Sequence, residues 1–202
     1  MKSFRICMQN IRKWGSNSRI KMCLIMLFLF VYSYISGMWK IIPLVGEKMN
    51  PWIFPFLFCW RFMKIVFMAP IVFIFCDAPF IDSNQSYVML RTSRKKWCFG
   101  QVLYIYAGSV IYAFVLFFST IIINIGHIKW GTSWGKVLGS AGTSTVLSTL
   151  GINYTTVKVP AIVIRYYTPA QAMFFSFLLM VLSFIFIGLL IYTVTVSYTH
   201  LR

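Results

Sequence analysis

Runs of apolar residues alternate with short polar intervals along this chain, and four of those runs approach the length that crosses a bilayer. They cover about 22–38, 56–76, 99–126 and 172–194. A helix rises 1.5 Å per residue, so about 20 apolar residues span the hydrocarbon core. The first run is the shortest and closes on Trp39-Lys40, an interfacial pair. The second contains Pro70, which membrane helices tolerate as a kink, and two cations, Arg61 and Lys64. These cations either snorkel back to the interface from a helix that enters near Trp60 or line a path for substrate. The third carries Gly100, Gly108, Ser109, Ala113 and Ser119, small residues that let helices approach closely in lipid. The fold class expected is all-α, a polytopic membrane helix bundle with about four spans.

Before the first span the pattern changes. Over residues 1–21, Phe4, Cys7, Met8, Ile11 and Trp14 share one helical face, and Lys2, Arg5, Gln9, Arg12 and Lys13 share the other. This predicts an amphipathic helix on the boundary of an anionic leaflet, broken by Gly15-Ser16-Asn17-Ser18. A disordered basic tail is the alternative, because so short a helix is marginal alone. Between the first two spans, Pro43, Gly46, Pro51 and Pro55 predict a loop or re-entrant turn. Residues 129–171 form a longer polar connection with Trp130 and Trp134, expected on or dipping into the outer interface.

Residues 76–97 are the polar island between the second and third spans. They hold Asp77 and Asp82, two of the chain's three carboxylates, and the run Arg91, Arg94, Lys95 and Lys96. Ser83 or Asn84 is placed to cap a short helix through Trp97, with Tyr87, Leu90 and Trp97 as its stripe. With four crossings, this loop and the amino terminus share a side. The density of Lys and Arg there assigns it to the cytoplasm of a multi-pass cell-membrane protein.

Composition fits this picture. Of 202 residues, 59% are hydrophobic, more than a soluble domain of this size can hide. The net charge of +16 would suit nucleic acid, but the cations cluster at the ends of apolar runs, so lipid and topology are expected instead. Cys7, Cys23, Cys59, Cys76 and Cys98 lack any metal-binding or disulfide spacing and are expected to pack. Three carboxylates and two histidines, His127 at a membrane boundary and His200 near the end, make no acid–base pair or triad. Neither enzyme, metal nor cofactor is expected. Gly131-Thr132-Ser133-Trp134-Gly135-Lys136 is one residue short of a phosphate loop and follows no predicted strand. No cleavable signal peptide is expected. The end, 196–202, looks like translated adapter sequence and is expected to be non-native.

Cys76-Asp77-Ala78-Pro79-Phe80-Ile81, then Tyr87-Val88-Met89-Leu90-Arg91-Thr92-Ser93-Arg94-Lys95-Lys96-Trp97 and Gly100-Gln101, resemble the permease subunits of bacterial exporter-type ABC transporters. Tyr167-Thr168-Pro169-Ala170-Gln171-Ala172 is similar too. The resemblance implies six spans in a full-length chain and a separate ATP-binding subunit seated on the cytoplasmic loop. It also implies pairing into a homo- or heterodimer. Asp77, Arg91, Arg94, Lys95, Lys96 and Trp97 would make or position that contact. The bland alternative is a loop that only fixes topology, in a non-transporting membrane protein such as an immunity or sensor component acting through helix contacts.

Overall fold

The structure, a computed structural model, describes residues 2–76, 78, 92–143 and 157–200. The protein is all-α. Its helices are α1 (Lys2–Arg12), α2 (Ser18–Ser36), α3 (Ile42–Val45), α4 (Arg61–Phe75), α5 (Arg94–Asn124), α6 (Gly135–Ala141), α7 (Ala161–Tyr166) and α8 (Pro169–His200). The one extended pairing among the described residues is a bridge between Met49 and Ile128. Three helical stretches, Ser18–Val45, Arg94–His127 and Pro169–Ser197, are long and apolar enough to cross a membrane. Their outward side chains suit lipid, since Ile25, Leu29, Phe174, Leu179 and Phe186 are all exposed. In water such surfaces would drive aggregation; in lipid they are the matching face.

The second expected span takes a different form. Its opening is a 3-10 helix, Phe54–Phe58, with Pro55 near its start, and only Arg61–Phe75 is α-helical. Fifteen residues give about 22 Å, short of the ~30 Å hydrocarbon core. The prolines and the bend at Cys59-Trp60 consume the rest of the apolar run. Pro70 sits inside α4 as the sequence suggested.

The chain divides into two compact units. Unit 1 comprises Met1–Met26, Met68–Ala113 and Val181–Arg202; unit 2 comprises Leu27–Phe67 and Phe114–Met180. In unit 1, Phe75 meets Tyr104 edge-on at 5.7 Å and Tyr112 meets Phe184 at 5.0 Å. In unit 2, Phe54 is flanked by Phe117 and Phe177, and Phe67 by Tyr34 and Phe58. Aromatic pairs at these separations add about 0.5–1.5 kcal/mol each beyond burial.

The start of α8 shows how local sequence fixes an element. Thr168 Oγ1 accepts from the Gln171 backbone N–H, and Gln171 Oε1 accepts from the Thr168 N–H. This is the reciprocal Thr-x-x-Gln cap, with Pro169 at the first helical position where its missing N–H costs nothing. The motif singled out in the sequence is therefore a helix start.

Helix α1 ends where the sequence said, passing through a single 3-10 turn, Lys13–Gly15, to Ser16. Its packing differs from the expectation. Ser3 Oγ donates to the Lys96 carbonyl, Asn10 Nδ2 to Gln101 Oε1, and Trp14 Nε1 to the Tyr104 hydroxyl. Partners advance together along both helices, so α1 lies parallel against the first turns of α5. Gly100 makes the approach possible, because a Cβ there would sit 3.0 Å from Ile6 Cβ. The packing face is thus Ser3, Ile6, Cys7, Asn10 and Trp14, of which Ile6, Cys7 and Asn10 are buried, whereas Phe4 and Met8 are 60% and 44% exposed. The sequence pattern missed this because two of the packing residues are polar.

That polar contact supplies a test. Asn10 and Gln101 are both buried, so Asn10→Leu strands the Gln101 amide and costs about 1–3 kcal/mol. The double variant N10L/Q101L removes both partners and is expected to recover most of the loss. Thermal unfolding of the detergent-purified chain reads both values.

Candidate partner-docking surface

Within unit 1, the described part of the polar island is the entry to α5. The Trp97 N–H donates to the Ser93 carbonyl, the first α-helical bond of α5, with Ser93 in the capping position that serine favours. Arg94, Lys95 and Lys96 fill the first turn and are exposed. No acidic residue stands in that turn, so three cations add to the positive end of the helix dipole. Such an end repels cations and attracts an anionic surface.

Trp97, one residue on, is 8% exposed. Its ring therefore packs inward beneath the cationic turn. Asp77 and Arg91, expected beside these residues, lie outside the described residues, as does most of the predicted short helix through Trp97. Arg61 and Lys64 stand on the first turn of α4, both exposed.

Unit 2 carries the other polar cluster, and no sequence motif announced it. Asn50, 6% exposed, donates from Nδ2 to the Ser133 carbonyl. Trp52 Nε1 donates to the Gly131 carbonyl, and Met49 bonds through its backbone to His127 and Lys129. Glu47 and Lys136 form an ion pair at 2.8 Å. Its hydrogen bond lowers the Glu47 pKa and raises that of Lys136. Trp134 Nε1 reaches the Tyr167 carbonyl and is buried, while Trp130 is 75% exposed. The two tryptophans expected at one interface thus do different work. His127 lies against the Trp39 ring at 4.7 Å, and Trp39 Nε1 donates to Asn124 Oδ1. The contacts of Glu47, Met49, Asn50 and Trp52 hold the segment before α4 to the segment after α5.

Among the described residues no group of three His, Cys, Asp or Glu side chains could hold a metal. Comparison of the chain with protein-family models, curated proteins and solved structures gives no match. The exposed cations Arg94, Lys95 and Lys96 at the start of α5 are three in a row on the described surface.

Proposed function

We propose that this chain is the membrane-spanning subunit of an exporter driven by a separate ATPase. The ATPase seats on the 77–97 loop at the cytoplasmic side of the cell membrane. The observation that carries the reading is the continuity of α5 from the exposed Arg94-Lys95-Lys96 turn to Asn124. A partner gripping that turn holds the first turn of a long apolar helix, so a displacement at the loop is passed on through that helix's own backbone. The sequence resemblance to exporter-type permeases supports the same assignment. The chain contributes no catalytic residue and no cofactor; binding and motion are its part, and two subunits complete the path.

The test is co-purification from the native membrane. The unaltered chain is expected to bring down ATP-hydrolysing activity. R94A/K95A/K96A is expected to insert equally well and to lose at least ten-fold of that activity. Retention of full activity by the triple variant would sink the assignment of the loop. Absence of any ATPase with the unaltered chain would favour a non-transporting membrane protein.

A further inference from the structure

Helix α1 turns its residues into three sectors. Ser3, Ile6, Cys7, Asn10 and Trp14 form the sector against α5. Rotation by 100° per residue centres Phe4, Met8 and Ile11 about 100° away from it, with Arg12 and Arg5 about 80° further round. The order is protein, apolar, cationic. A helix that buries an asparagine while leaving a phenylalanine 60% exposed is not facing water on its apolar side. Phe4, Arg5, Met8, Gln9 and Arg12 line one shallow concave surface across the last two sectors.

We propose that this surface binds an anionic phospholipid. Its phosphate sits between the guanidinium groups of Arg5 and Arg12 over the Gln9 amide, and its acyl chain lies along Phe4 and Met8. Arg5 and Arg12 are seven residues apart, on one ridge at about 10.5 Å along the axis, so long side chains converge over the intervening turn. Guanidinium groups favour phosphate through paired N–H donors, and the adjoining apolar strip excludes water from the contact. Charge complementarity selects the occupant. No carboxylate occurs in α1, and the two in the sequence of unit 1, Asp77 and Asp82, belong to the loop. A lipid supplies both halves of the surface, the anion and the chain; a soluble anion supplies one.

The full chain, purified in neutral detergent, is titrated with phosphatidylglycerol or phosphatidylcholine, and retained lipid is read by native mass spectrometry. Each cation near a lipid surface contributes about five-fold in affinity, so R5Q/R12Q is expected to bind phosphatidylglycerol roughly 30-fold more weakly. The single variants, each about five-fold weaker, report the same effect independently. K40Q/K129Q, which removes two exposed cations of unit 2, is expected to stay within two-fold of the unaltered chain. Equal losses in R5Q/R12Q and K40Q/K129Q would mean diffuse attraction and overturn the site. Unchanged binding in R5Q/R12Q, equal affinity for phosphatidylcholine, or displacement by equimolar inorganic phosphate would each overturn it as well.

Discussion

Replacing Gly188 with alanine is expected to lower stability by about 2–3 kcal/mol, whereas the same change at Gly126 leaves it within ~0.5 kcal/mol. Both glycines belong to apolar helical stretches and look alike in sequence. A Cβ on Gly188 would meet Ile105 Cγ2 at 2.5 Å and the Phe75 ring at 2.9 and 3.0 Å. Neither neighbour yields cheaply. Ile105 is β-branched and stiff about χ1, Phe75 is held edge-on to Tyr104, and both are fully buried. The added methyl must therefore push α8 away from α4 and α5, and close packing is the main attraction between helices in lipid. A Cβ on Gly126 meets nothing within 4 Å. Thermal unfolding in detergent, followed by tryptophan fluorescence, separates the two; equal midpoints would show that the α8 contact does not limit stability.

This difference illustrates what local sequence could and could not convey. The long helices were legible because lipid imposes a crude rule, apolar for about 20 residues, and α5 and α8 obey it over more than that length. The break after α1 was legible because Gly15-Ser16-Asn17 leaves few ways to continue a helix. Hidden from local reading were the pairings that join residues 83–91 positions apart. Asn10 with Gln101, Trp39 with Asn124, and Asn50 with Ser133 are all of this kind. Each puts a polar residue where periodicity expects an apolar one, so each is invisible until its partner is known. The orientation of Trp97 was hidden for a related reason. An aromatic among cations resembles an interface anchor in sequence, but here it turns inward while Arg94, Lys95 and Lys96 face out.

Burial also sharpens the contrast between the ends of α5. At its start the exposed groups are Arg94, Lys95 and Lys96. Towards its close Ser119 and Thr120 bond back to carbonyls of their own helix, and the Asn124 amide bonds to Thr120 and Trp39. Polar groups near the second end are all consumed internally, as low-dielectric surroundings demand. Those at the first end remain available. A binding partner that recognises charge has a surface to recognise only at the start, which is why the proposed ATPase contact is placed there.

Gly135→Ala carries the other large expected effect, about 2–3 kcal/mol, and Gly46→Ala is its natural comparison. Both glycines have left-handed backbones, φ +73° and +70°, which cost an alanine about 1–2 kcal/mol. Only Gly135 is also crowded. A Cβ there would sit 3.0–3.1 Å from the Asn50 amide, and a Cβ on Gly131 would sit 3.1 Å from the same amide. Asn50 cannot retreat without releasing the Ser133 carbonyl, adding the loss of a buried hydrogen bond of about 1 kcal/mol. The Gly131-to-Lys136 stretch, which imperfectly imitates a phosphate loop, owes its glycines to this asparagine seat. Unfolding midpoints should therefore rank the unaltered chain above G46A and G46A above G135A. In an N50A background the crowding half of the G135A penalty should disappear while the backbone half persists; a full penalty retained there would show that Asn50 is not what the glycine accommodates.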